Sequence, residues 1–302
     1  MTNFKIIQKR NIWLGVSAAL FVVFVLALFV WGLKYGIDFT GGRSLEVKFN
    51  KLQPSVSEVE NTLASLKLGD LIVQPAGENN MILSFQVTNE ETNQAVLAKL
   101  NEISETGGVA DYNAGLVSKS IAEELKAKSL WALFFALIAM LAYITYAFRK
   151  VSRPVASWKY GSAAIIAMFH DAVITMGVFA LLGHYYGVEI NTPFVAAVLT
   201  VIGYSIHDTI VVFDRIRENL PKSDLDFEGT VNMSLNQTLV RSLNTSLTVL
   251  LVLLAIIIFG GASIKTFALA LAIGIFIGAY SSIFVASPLL VVWEKLGKSH
   301  NL

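Results

Sequence analysis

The sequence predicts a polytopic α-helical membrane bundle of six transmembrane helices, with a small α+β ferredoxin-like domain between helices 1 and 2. Three observations carry this. The 302 residues are 55% hydrophobic and only 15% charged, where soluble domains carry roughly 25% charged residues. Six apolar runs reach the length of about 20 residues that spans a bilayer, near 12–33, 129–148, 160–182, 193–214, 236–259 and 266–290. Between the first two lies a polar segment, 34–128, with the periodicities of a mixed sheet.

The first run is too long for the apolar core of a signal peptide, and no small-residue cleavage site follows it, so it reads as an uncleaved anchor. Lys5, Lys9 and Arg10 precede it. Basic residues then recur on the same side: Arg149, Lys150, Arg153 and Lys159 after run two, Arg215, Arg217 and Lys222 after run four, Lys295 and Lys298 after run six. The opposite loops carry almost none. This asymmetry predicts cytoplasmic termini and an exported 34–128 segment. The expected division is 1–33, 34–128 and 129–302.

Within the exported segment, residues 44–49 alternate, with Leu45, Val47 and Phe49 on one face of a strand. Residues 55–66 place Val56, Val59, Leu63 and Leu66 at helical spacing, with Ser55 or Ser57 as cap. Residues 70–74 and 81–87 read as strands about a Gly-Glu-Asn-Asn turn. Residues 89–103 form a second helix with Val96, Leu97, Leu100 and Ile103 inward, and 108–112 closes the sheet. The β-α-β-β-α-β order is ferredoxin-like. Residues 117–128 form a helix leading into the second span.

Polar groups inside the apolar runs carry the functional signal, because ionisable side chains at membrane depth are costly and mark substrate or ion pathways. Asp208 lies about six residues, or roughly 9 Å, from its span's end. Arg241 falls at a comparable depth on the next helix, which predicts an ion pair between them. Gln237, Arg241, Asn244 with Thr245, and Thr248 recur at three- and four-residue steps as one polar stripe, to be met by other helices or a wet cavity. His170 and Asp171 sit near mid-span, where Asp171 fixes the imidazole or a neighbouring hydroxyl. His207 reads as a packed neighbour of Asp208, and Asp214 with Arg215 as an interfacial ion pair. His170-Asp171-Ala-Val-Ile is echoed by His207-Asp208-Thr-Ile-Val. In the last span Gly274 and Gly278 form a GxxxG, with Ser281 and Ser282 extending the small face.

Other chemistry is disfavoured. There are no cysteines, which removes disulfides and thiol catalysis. Two His-Asp pairs lack the further ligand of a metal site, so no metal or cofactor is expected. No nucleophile elbow, dinucleotide fingerprint or P-loop occurs. A net charge of +1 gives no reason to expect nucleic acid. Proton handling fits best: burial raises a carboxyl pKa and a nearby arginine lowers it, so an Asp–Arg pair that separates and re-forms is expected to take up and release a proton. A proton crossing 100 mV gains about 2.3 kcal/mol, enough to bias a conformational equilibrium.

The stretches Tyr35-GIDFTGG-Arg43, HD at 170–171, GYSIHDTIVVFDRIREN at 203–219, LNQTLVRSLNTSLT at 235–248 and YSSIFVASPLL from Tyr280 closely resemble the SecF family. These are the smaller membrane subunits of the bacterial SecD–SecF export complex, of the RND superfamily. The resemblance spans essentially the whole chain. It implies a non-enzymatic, multi-pass subunit of the bacterial cytoplasmic membrane with a periplasmic domain. The implied partners are SecD, the SecYEG channel, YajC, an unfolded translocating polypeptide, the lipid bilayer and protons. The implied work is late, ATP-independent translocation driven by the proton-motive force. The family's proton-transport aspartate and arginine fall on Asp208 and Arg241, and its motif after helix 1 on Gly36, Asp38, Phe39, Gly41 and Gly42. The family commonly has Asn where this chain has His207. An RND-type exporter of small molecules or lipids is the alternative, and a passive scaffold a third reading.

Overall fold

A computed structural model describes residues 4–69, 71–87, 89–103, 107–147 and 157–299. Asp70 at the start of one predicted strand, and the basic residues Arg149, Lys150 and Arg153, lie outside them. The membrane part comprises α1 (Arg10–Trp31), α5 (Lys119–Ala147), α6 (Ser157–Tyr186), α7 (Thr192–Asn219), α8 (Phe227–Phe259) and a last helix in three pieces. These pieces are α9 (Ala262–Ser281), a π-turn (Ser282–Ala286) and α10 (Ser287–Ser299). Six segments are long and apolar enough to cross a membrane. The chain is thus a multi-pass membrane protein.

Helices α6, α7 and the last helix form the interior of the bundle, and α7 carries one of the two buried aspartates among the described residues. Its apolar positions Ala197, Val198, Val201, Ile202, Ile206, Val212, Phe213 and Ile216, at three- and four-residue steps, are all buried. It packs against α6, α8 and α9. By contrast α1 buries only Ser17 and Ala27, and α5 only Ala122 and Ile144, so these two form the periphery. The GxxxG of α9 is used for close approach. A Cβ on Gly274 would lie 2.1 Å from a Val201 methyl, and one on Gly278 3.2 Å from the Ser205 Cβ. Larger residues at either position would push α9 off α7.

The π-turn has a cause in the sequence. Pro288 cannot donate a backbone hydrogen bond, and its ring crowds the carbonyl four residues back. Widening the preceding turn relieves this clash. The Ser287 hydroxyl then donates to the carbonyl of Ser282 at 3.0 Å, five residues earlier.

Between α1 and α5 stand a one-turn helix α2 (Ile37–Thr40), β1 (Gly42–Phe49), α3 (Val56–Leu63), β2 (Ile72–Pro75), β3 (Asn80–Phe85), α4 (Glu90–Asn101) and β4 (Val109–Val117). The strands form one antiparallel sheet in the order β2-β3-β1-β4, the ferredoxin-like arrangement the sequence predicts. Leu45, Val47, Phe49, Met81, Leu83 and Phe85 meet Val59, Leu63, Val96, Leu97 and Leu100 in its core. The Ser55 hydroxyl caps α3 by accepting from the amide of Glu58 at 3.2 Å. The last strand is longer than 108–112, reaching Val117, and the linker helix and second span are one continuous α5.

The ends of the bundle meet in one charge cluster. Glu228, at the start of α8, accepts from Arg10 at 2.8 Å and pairs with Lys295 of α10 at 2.6 Å. The first and last helices therefore begin and end on the same side, as an even number of spans requires.

Candidate functional site

The carboxylate of Asp208 is buried, with 8% of the residue exposed. Two hydroxyls hold it: Ser242 of α8 donates to Oδ1 at 2.8 Å, and Ser282 of the π-turn donates to Oδ2 at 2.6 Å. Asp171, on α6, is held in the same manner. Ser205 of α7 and Ser281 of α9 donate to its Oδ2 at 2.5 and 2.6 Å, and His170 Nδ1 lies 2.9 Å from its Oδ1. Each aspartate reaches a serine 34 residues later on the next helix. The adjacent pair Ser281-Ser282 supplies the second donor to both. Hydrogen bonds to an ionised group are stronger than neutral ones, and here they replace a cation.

The Asp208–Arg241 ion pair expected from matched depth is not present. Arg241 lies on the exposed face of α8, and among the described residues its guanidinium has no hydrogen bond or ion pair. Depth fixes position along the helix but not around it. Arg241 and Ser242 stand about 100° apart on a 3.6-residue helix, and Ser242 is the one that faces α7. Gln237, Asn244, Thr245 and Thr248 are exposed beside Arg241. Gln237 alone among them accepts a side-chain hydrogen bond from another helix, from Asn219 Nδ2 at 2.9 Å. The predicted stripe exists, but it faces away from the chain's own bundle. A second stripe of Thr230, Ser234, Thr238, Ser242 and Ser246 at four-residue steps is buried instead.

His207 is likewise a correction. It is exposed, turned off the Asp208 face by the same 100° step, and does not pack on the carboxylate. Asp214 pairs with Arg217 rather than Arg215, which pairs with Glu218 at 3.0 Å. Side chains three residues apart share a helix face and adjacent ones do not. His170 and Asp171 do form the expected interior pair. What the sequence reading missed are the serines, whose signal was the exact four-residue spacing on α8 and the paired Ser281-Ser282.

The glycine motif after α1 makes a second arrangement, at the opposite end of α7. The Gly36 amide donates to the Ile190 carbonyl at 2.8 Å, and the Ile190 amide to the Lys34 carbonyl at 2.8 Å. Asp38 Oδ2 accepts from the Thr192 amide at 2.8 Å, the first residue of α7. A carboxylate there satisfies an orphan donor and complements the helix dipole. Asn191 adds a second cap at the Phe194 amide. Phe39 is buried, and its ring meets Tyr35 edge-on. Gly41 and Gly42 have φ of +73° and +136°, and a Cβ on Gly42 would come within 2.7 Å of the Phe85 carbonyl oxygen. Only glycine fits this turn into β1. Beside it, burial pushes the Glu189 carboxyl up to about 7, against Lys34 and a Ser84 hydroxyl that lower it and Asp38 that adds to the rise.

The chain is similar in sequence and fold to known proteins along nearly its whole length. Residues 96–296 match the family model described as protein export membrane protein SecD/SecF, C-terminal, and residues 26–51 match the SecD/SecF GG motif. Fold and matches together define a multi-pass membrane protein of the protein-export class. The protein translocase subunit SecF of Thermobaculum terrenum is 43% identical over 301 residues, covering 96% of this chain and 94% of that protein. That of Anaerolinea thermophila is 38% identical over 294 residues, with the same coverage. The crystal structure of SecDF from Thermus thermophilus, described as a translocon-associated membrane protein, superimposes with a TM-score of 0.83 at 32% identity. It covers 97% of this chain, which spans 39% of that longer one. The chain belongs to the SecF family of protein translocase subunits.

Proposed function

We propose that this chain pairs with SecD and uses the proton-motive force to promote late, ATP-independent movement of unfolded polypeptide through the SecYEG channel, with YajC as a further partner. Its place is the bacterial inner membrane, with both termini cytoplasmic and residues 34–128 a periplasmic domain. The observation that carries this reading is Asp208, buried between the hydroxyls of Ser242 and Ser282, with no cation paired to it among the described residues. Ser282, which donates to its Oδ2, also lies 3.1 Å from the Ala279 carbonyl. When Asp208 is ionised, the hydroxyl donates to it. When Asp208 is protonated, the hydroxyl turns to Ala279 and accepts from the acid. Both states satisfy their polar atoms, as a proton carrier requires.

Arg241 acts in this reading across the subunit boundary. A charged stripe of Gln237, Arg241, Asn244 and Thr248 facing lipid is costly, so this face of α8 meets SecD and presents Arg241 to it. The bond from Asp38 to the start of α7 connects the proton helix with the exported domain, so that a shift of α7 is felt by residues 34–128.

The test is export into vesicles carrying the complex. Asp208→Asn abolishes the response of translocation to an imposed proton gradient while SecD still co-purifies. An unchanged gradient response with Asp208→Asn would end the proposal. The exporter alternative predicts instead that no SecD-like chain is recovered with the wild-type protein.

A further inference from the structure

The reading of Asp208 leaves a second buried carboxylate unused. Asp171 is fully enclosed, midway along α6. Every described partner of its side chain is a hydrogen-bond donor of another kind than lysine or arginine: Ser205 from α7, Ser281 from α9, and the imidazole of His170 on its own helix. Asp208 is held by a separate pair of serines, Ser242 and Ser282, the second of which follows Ser281 in the chain. A buried carboxylate without a cation costs several kcal/mol, and neutralisation by a proton removes that cost.

The site is built for both states. Ser281 lies 2.6 Å from Asp171 Oδ2 and 3.2 Å from the Gly278 carbonyl, so its hydroxyl can give its proton to either. His170 supplies a relay. Its ring stacks on Phe21, and its Nε2 is a buried polar atom with no hydrogen-bond partner among the described residues, aimed into the bundle where a proton or a bridging water would satisfy it. A proton taken up at Nε2 allows the Nδ1 proton to pass to Asp171 Oδ1. The ring remains neutral in its other tautomer, and the carboxylate becomes a carboxylic acid, with one proton in and none lost.

We propose that Asp171, loaded through His170, is a second proton-binding site of the membrane core, working beside Asp208; this rests on the reading of Asp208 as a proton carrier. The two sites share parts. Ser281 and Ser282 are neighbours in the chain, and Ser205 stands one turn from Asp208 on α7. Loading one carboxyl therefore resets the short segment on which the other depends.

Infrared difference spectroscopy of the full chain in lipid vesicles tests this, because only a protonated carboxyl shows a carboxylic C=O stretch. In Asp208→Asn, one buried carboxyl band grows as pH falls, and it is lost when Asp171→Asn is added. Ser281→Ala keeps Asp171 but removes the turning hydroxyl, and it moves the midpoint of that band by about one pH unit. His170→Phe slows its appearance after a pH jump at least about tenfold. A D208N chain with no titrating band, or a midpoint indifferent to Ser281→Ala, overturns the proposal. Asp171→Asn alone reports on Asp208: absence of a band there would end the Asp208 reading, while Asp171 is judged in D208N.

Discussion

Helix α8 carries two polar faces of opposite character. Thr230, Ser234, Thr238, Ser242 and Ser246 point into the bundle, and all are small hydroxyls. Gln237, Arg241, Asn244 and Thr248 point out, and include a charge. Each inward hydroxyl of Thr230, Ser234 and Thr238 donates to a carbonyl four residues back, so it arrives in the apolar interior already satisfied. Ser242 instead spends its proton on Asp208, and Ser246 meets the Tyr204 hydroxyl at 3.2 Å. On the outward face Thr245 and Thr248 donate to nearby carbonyls and Gln237 accepts from Asn219, while Arg241 and Asn244 have no side-chain partner among the described residues. One face thus closes the bundle on itself, and the other is left to be answered from outside.

Breaking the inward face has the largest expected effect. Ser242→Leu overfills the α7–α8 contact and strips a donor from a buried carboxylate, costing about 3 kcal/mol or more. Thermal unfolding in detergent should drop sharply, and export with it. Asp38→Ala removes a cap from the start of α7 and costs about 1 kcal/mol. Hydrogen exchange should accelerate selectively at the amides of Thr192 and its neighbours in the first turn.

Glu189→Gln removes a pH response. Burial pushes its carboxyl up to about 7, above the ordinary glutamate value of 4.5. The folded state therefore binds more protons between these values, and stability rises as pH falls through about 7. The melting temperature of the wild type should rise on acidification across this window, and that of E189Q should respond less. Arg241→Met has the smallest effect on the chain alone, within about 0.5 kcal/mol. It should nevertheless impair gradient-driven export and weaken recovery of SecD. Equal damage to the isolated chain from R241M and S242L would erase the distinction between the two faces.

Much of the architecture was legible because it follows from length and periodicity. The six spans, the strand at Leu45-Val47-Phe49 and the capped helix at Ser55 needed only local rules. Asp208 stands out in the sequence as a candidate because an ionisable side chain in an apolar run is costly, and its burial is what that cost leads one to expect. Its partners were not legible, because charge drew attention to Arg241 while helical phase selects Ser242. Serines rank low as candidates in a sequence, being common in membrane helices as packing residues. Only three dimensions show that Ser205, Ser242, Ser281 and Ser282 converge on two carboxylates. The role of Asp38 was hidden differently: its partner, the Thr192 amide, is 154 residues away and belongs to the backbone.

Pro288 gives the last helix an extra residue of slack. Ser281 and Ser282 face different carboxylates where the regular α9 gives way to the wide turn, and Ser287 holds the loosened carbonyl of Ser282. The segment behaves as a thread with one loose winding. Replacing Pro288 so that this turn closes as regular α-helix, with all its residues kept, would turn α10 by roughly one residue's step of 100° against α9, carrying Lys295 away from Glu228. The proline thus keeps two ends of one helix in separate phase, one set to the carboxylates and the other to the charge cluster at the membrane surface.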